Sequence, residues 1–165
     1  LHRRTLMNDT TIRLWRAEDA DVIRPHLYEF LRAQYEAGGD YRPTPKNVEA
    51  FLQLGLLAAG AGDPCVVAYV GGQLVGFCMW VGAASPAFDT RERSVFAFAD
   101  YICPEFQRQG WSVRLRSVAK LLGAAAGYTR CDGFCLTKAA LRAAEAAGAR
   151  VFGVVGGIPL HSQPQ

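Results

Sequence analysis

The stretch Ser94-Val-Phe-Ala-Phe-Ala-Asp100-Tyr-Ile-Cys103-Pro-Glu-Phe106-Gln-Arg-Gln-Gly110-Trp-Ser112 decides how the rest of the chain is read. Its first part, up to Cys103, is rich in aromatic and β-branched side chains, which suit a buried central strand, and Pro104 ends it by removing a ladder donor. From about Gln109 to Ala126 the period changes. Trp111, Leu115, Val118, Ala119 and Leu122 recur at the spacing of one buried helical face, and Gly127 stops the helix. A strand therefore runs straight into a helix through a loop holding Gly110, which can take a backbone turn closed to larger residues, so that the N–H groups from Gln107 to Ser112 can converge at the helix N-terminus. Such a nest, backed by the positive end of the helix dipole, suits a pyrophosphate. Phe106 to Arg130 also carries five cations (Arg108, Arg114, Arg116, Lys120, Arg130) and no Asp or Glu. That charge suits an anion, and equally a solvated helix face.

Working outward, Thr11 to Trp15 alternates as a first strand, and acidic Glu18, Asp19 and Asp21 open a helix towards Glu36 that Pro25 is expected to kink or divide. Gly38 to Pro43 is a loop. Thr44-Pro45 supplies an N-cap and a first-turn proline for a second helix, about Pro45 to Ala59. The uncharged run from Pro64 to Phe88 is long enough for a membrane span, but Gly71-Gly72-Gln73 interrupts it and makes it two buried strands with a tight turn. After the helix that follows Ser112, a strand Arg130–Leu136, an Ala-rich helix Thr137–Ala147 and a last strand Arg150–Val155 complete the expectation. The order is that of an α/β (α+β) fold with a mixed central sheet flanked by helices. Residues 11–155 form one expected domain, between a disordered N-terminal tail (1–10) and a C-terminal tail (156–165).

The 165 residues, half of them hydrophobic and a fifth charged with net charge +3, fit one ordinary domain able to bury its own core. Five cysteines without a Cys-x-x-Cys pair and three scattered histidines argue against a disulfide framework and a metal site. No signal-peptide h-region is visible, and cysteine usage points to a cytoplasmic protein. No membrane is expected as a partner. Nucleic acid is an unlikely one, since the basic helix carries no recognisable binding motif. A homodimer is left open.

Gln107-Arg-Gln-Gly110-Trp-Ser112 resembles the acetyl-CoA signature [Gln/Arg]-x-x-Gly-x-[Gly/Ala] of the GNAT N-acetyltransferase superfamily, and Ile102-Cys-Pro-Glu-Phe106 resembles its Val-x-Pro-Glu-Tyr. The run Pro104 to Gly110 is most similar to the ribosomal-protein N-terminal-acetyltransferase branch. Element order agrees from Thr11 to Val155, with the last core strand absent or reduced to Gly156–Leu160. The resemblance implies acetyl-CoA as co-substrate and no metal. It places the pantetheine along the backbone at Ile102 and Cys103, and the pyrophosphate at Gln107, Arg108, Gln109, Gly110, Trp111 and Ser112. Ser112 departs from the usual Gly or Ala. The tyrosine that many members place four residues before a Gly-Phe pair is also absent, since counting back from Gly148 gives Ala144.

Two aspartates are candidate bases. Asp100 shares strand parity with Phe96, Phe98 and Ile102 and so is expected to face the cleft. Asp132 stands near the position where the N-terminal-acetylating branch has its glutamate. Either can equally be a hydrogen-bonded structural residue. A lysine amine, with a pKa of about 10.4, needs more help from a base than an α-amine near about 7.7–8.0, so a weakly basic site without the tyrosine leans towards an α-amine. The implied function is acetyl transfer to the primary amine of a small molecule or peptide by direct attack in a ternary complex. The alternative is a catalytically degenerate acyl-CoA-binding or interaction module with the same fold.

Overall fold

The apolar hairpin is uncharged because helices cover both of its faces, and a strand buried twice reads as one hydrophobic run. In the computed structural model, which describes residues 9–82 and 93–133 together with Arg142, Glu145 and Ala146, the hairpin is β2 (Val66–Val70) and β3 (Gln73–Gly82). Gly71 and Gly72 both have positive φ, +55° and +78°, as a two-residue type I′ turn requires. With β1 (Thr10–Leu14), β4 (Ser94–Ile102) and β5 (Arg130–Gly133) they form one sheet in the order β1-β2-β3-β4-β5. All pairs are antiparallel except β4 with β5, which is parallel.

Helices α1 (Ala20–Glu36) and α2 (Pro45–Gly60) lie on one face of the sheet. Their Ile23, Leu27, Leu31, Val48 and Leu52 pack with Val67, Phe77 and Met79. Helix α3 (Trp111–Ala125) covers the other face, placing Trp111, Leu115 and Ala119 on Val66, Val75, Cys78 and Trp80. The Thr44 hydroxyl caps α2 by accepting from the Asn47 N–H at 3.2 Å, with Pro45 in the first turn. Pro25 corrects an expectation, since α1 runs through it unbroken. The carbonyl it deprives of a partner belongs to exposed Asp21 in the first turn, where solvent has access to it.

A buried ion pair locks the start of the chain onto the sheet. Asp19, 2% exposed, accepts from Arg13 Nη1 and Nη2 at 2.7 and 2.9 Å, from the Tyr69 hydroxyl at 2.7 Å and from the Arg16 N–H at 2.7 Å. Burial alone raises the Asp19 carboxyl, but these hydrogen bonds outweigh it and hold the group below its ordinary 3.8.

The described elements belong to a compact unit spanning Leu1–Phe134; in a second unit, Cys135–Gln165, Arg142, Glu145 and Ala146 are helical. The rest of the expected Thr137–Ala147 helix, including Ala144, the strand Arg150–Val155 and Gly148 lie outside the described residues, as do the two tails apart from Asp9 and Thr10. No described helix is long and apolar enough to cross a membrane. No group of three or more His, Cys, Asp or Glu that could hold a metal ion stands together among the described residues.

Asp19→Asn is expected to cost about 3 kcal/mol in denaturant unfolding at neutral pH, because it leaves Arg13 without its charge partner. A depressed carboxyl stabilises above its unfolded pKa and loses that contribution as pH falls through the folded one. The gap between wild type and variant should therefore be constant above about pH 5 and shrink below 3.8.

Candidate active site

Strand β4 carries a bulge that the alternating pattern concealed. Ala97 stands opposite Trp80 and Ala99 opposite Met79, so Phe98 is the extra residue. Side-chain parity reverses there. Val95 and Ala97 pack with α3, whereas Phe98, Ala99, Tyr101 and Cys103 pack with α1 and α2. Asp100 and Ile102 consequently face α3, and the expectation that Asp100 shares a face with Phe96 and Phe98 is corrected. The Asp100 carboxylate accepts from Trp80 Nε1 at 3.0 Å and from Arg116 Nε at 3.0 Å, with Arg116 Nη2 at 2.9 Å. Burial raises its pKa, against the opposing pull of the Arg116 charge and the two donors.

Main-chain alternation matters more than side chains along this strand. The Cys103 N–H donates to the Val75 carbonyl at 2.9 Å, and Ile102 stands opposite Gly76. In an antiparallel ladder the backbone groups of successive residues turn to opposite edges. Ala99, Tyr101 and Cys103 therefore turn theirs to β3, while Asp100 and Ile102 turn theirs to the edge facing β5. Strand β5 pairs only with Ser94 to Ala97. Past Ala97 that edge of β4 has no strand against it among the described residues.

The main chain of Cys103 is engaged within the protein. Its N–H is held by Val75, its carbonyl accepts from the Phe106 N–H at 2.9 Å, and its thiol, buried 3.8 Å from His26 Nδ1, is pushed up to about 11 by burial and Glu105.

The edge leads into the loop before α3. Gln107 Nε2 donates to the Ile102 carbonyl at 3.1 Å and Gln109 Nε2 to the Glu105 carbonyl at 2.8 Å, so both glutamines brace the turn. Arg108 has φ +60° and Gly110 φ +81°. A left-handed arginine is uncommon and costs free energy, which marks the loop as a place where backbone conformation is held for a purpose. Gly110 is the N-cap of α3 and makes no side-chain cap, and the first turn holds no acidic residue. The first intrahelical bond is from the Arg114 N–H to the Gly110 carbonyl at 3.2 Å, leaving the preceding N–H groups to an external acceptor. Trp111 buries its ring on the sheet, while Ser112 is exposed at the mouth. Edge and helix end open into one groove of about 490 Å³, walled by Phe30 and Gln34 of α1, Tyr101 and Ile102 of β4, and Arg108, Gly110 and Ser112.

Asp132 lies on the other face from Asp100. It stands opposite Phe96, and paired residues share a face. Phe96 contacts Phe98 at 4.9 Å between ring centroids, and Phe98 meets Phe51 of α2 at 6.2 Å. Asp132 thus shares the α1/α2 side, paired with Arg130 at 2.9 Å.

No family model matches the chain, and no curated protein does. Solved structures do. AAC(6')-Iy, in complex with a CoA bisubstrate analog, is 17% identical with a TM-score of 0.66, covering 93% of this chain and 99% of that one. The fold is that of the GCN5-related N-acetyltransferases (GNAT). A ribosomal-protein-alanine N-acetyltransferase from Brucella melitensis is 19% identical with a TM-score of 0.63, covering 92% and 99%. A GCN5-related N-acetyltransferase from Ralstonia eutropha is 15% identical with a TM-score of 0.65, covering 90% and 98%. In this GNAT fold the edge of β4 past Ala97, unpaired among the described residues, and the bare start of α3 are features of the chain's own backbone.

Two glycines at the site make a contrasting pair. A Cβ on Gly76 would run into the Tyr101 carbonyl oxygen and lie 3.0 Å from the Ile102 Cα, whereas one on Gly110 meets nothing within 4 Å. Gly76→Ala, forcing β3 and β4 apart, is expected to cost about 2 kcal/mol in thermal or denaturant unfolding. Gly110→Ala should cost about 1 kcal/mol, the price of its positive φ alone.

Proposed function

We propose that the protein is an N-acetyltransferase that binds acetyl-CoA along β4 and the start of α3 and transfers the acetyl group to a primary amine of a small molecule or peptide. The observation that carries this reading is the continuity of two sets of main-chain donors, at Asp100 and Ile102 and at Gly110 to Val113, along one groove. Their chemistry fits the ligand: an amide-bearing arm suits the strand edge, and a pyrophosphate suits a helix N-terminus flanked by left-handed residues. Exposed Arg114, stacked over Trp111 at 4.8 Å, and Lys120 add positive charge on the same helix.

Acetyl-CoA supplies a thioester carbonyl at which an amine nitrogen can form its bond as the carbon–sulfur bond breaks. The strand edge orients that carbonyl, its N–H groups at Asp100 and Ile102 being the donors available to the carbonyl oxygen. Asp132, on the α1/α2 face beyond Phe96 and Phe98, accepts the proton of the attacking amine directly or through water. Asp100 is not assigned that role, because its carboxylate lies on the opposite face of the sheet, beneath α3. An α-amine needs less help from a base than a lysine amine, which favours α-amine acceptors.

Calorimetric titration with acetyl-CoA is expected to give micromolar binding that weakens with salt and is abolished by Gly110→Asp, which sets a carboxylate among the helix-end donors. With a panel of α-amine and ε-amine acceptors, coenzyme A release should be faster for the α-amines, and Asp132→Asn should lower kcat on the order of 10²–10⁴-fold without loss of acetyl-CoA binding. Binding without release by any amine would instead support a non-catalytic acyl-CoA module. No binding by the folded protein would contradict both.

A further inference from the structure

Asp100 is the one carboxylate among the described residues that joins the strand edge, the neighbouring strand and helix α3. Its N–H belongs to the edge of β4 that has no strand against it past Ala97 among the described residues, its Oδ1 accepts from Trp80 of β3, and its Oδ2 accepts from Arg116 of α3. Arg116 sits one helical turn after Ser112, so it belongs to the same rigid segment as the bare helix end. The carboxylate and the guanidinium are 29% and 27% exposed, and the pair makes two short contacts from one planar fork.

We infer that Asp100 is a positioning residue, whose carboxylate fixes the distance between the β4 edge that faces the thioester and the α3 end that faces the pyrophosphate. This rests on the acetyltransferase reading above. A ligand gripped at both ends presents its reacting carbon correctly only if the two grips keep their spacing, and a displacement of about 1 Å can cost on the order of 10²-fold in rate. The bulge at Phe98 is what makes the link, because without it the Asp100 side chain would turn to the α1/α2 face and away from Arg116. The other titratable groups close to Asp100 are the thiols of Cys78 on β3 and Cys131 on β5, and Lys120 lies further along α3.

A double-mutant cycle tests this, using Asp100→Ala, Arg116→Ala and the double variant, with Asp100→Asn replacing the first if Asp100→Ala does not fold. Each single variant should lower kcat for the best amine of the panel by a similar factor, on the order of 10–10²-fold, and the double variant by no more than either. The Kd for coenzyme A should stay near that of the wild type, and the pH profile of kcat should keep its limbs. A base at Asp100 would instead make Asp100→Ala far worse than Arg116→Ala and remove the acidic limb. A purely structural pair would lower the unfolding midpoint and leave kcat per folded molecule unchanged. Either result overturns the inference while the acetyltransferase reading stands. A wild type that binds no acetyl-CoA overturns that reading and takes this inference with it.

Discussion

Backbone donors without acceptors among the described residues are the constraint on which the rest of this protein depends. A strand edge with no neighbour among the described residues, and a helix that begins without a cap, each present main-chain N–H groups that water or a ligand can satisfy. Here the two follow one another within the segment Asp100 to Val113 and open into one groove. Everything else in the described unit holds that segment in place. The doubly covered hairpin gives β4 a rigid antiparallel partner, Gly76 lets β3 approach the backbone at Tyr101 and Ile102, and α3 is anchored through Trp111, Leu115 and Ala119.

The conformational cost is concentrated in the loop. Arg108 and Gly110 both have positive φ, and only the glycine adopts it cheaply. Gln107 and Gln109 offset part of this by donating to backbone carbonyls at Ile102 and Glu105. The bulge at Phe98 likewise breaks regular pairing, and in doing so assigns opposite duties to the two faces of β4. Aromatic side chains and Asp132 occupy the face beneath α1 and α2, and the Asp100–Arg116 pair occupies the face beneath α3.

Much of this was legible in the sequence, for local reasons. The Gly71-Gly72 turn, the Thr44-Pro45 helix start, the apolar stripe of α3 and the Gly110 loop are each set by residues close in the chain, and the structure has them where the pattern put them. Pro25 misled because its penalty depends on whether the abandoned carbonyl reaches water. Asp100 misled because a one-residue bulge, invisible in an aromatic run, decides which face its side chain takes. The partner of Asp100 is sixteen residues away on another element, and Tyr69 is fifty residues from Asp19, so neither contact leaves a local signal. The left-handed Arg108 has no compositional mark at all.

A crystal structure of the acetyl-CoA complex tests the central claim most directly. The account predicts the pantetheine arm lying along β4 with main-chain contacts at Asp100 and Ile102, and the pyrophosphate on the N–H groups that follow Arg108. A ligand bound elsewhere, or a strand paired along β4 past Ala97 in its place, would contradict it.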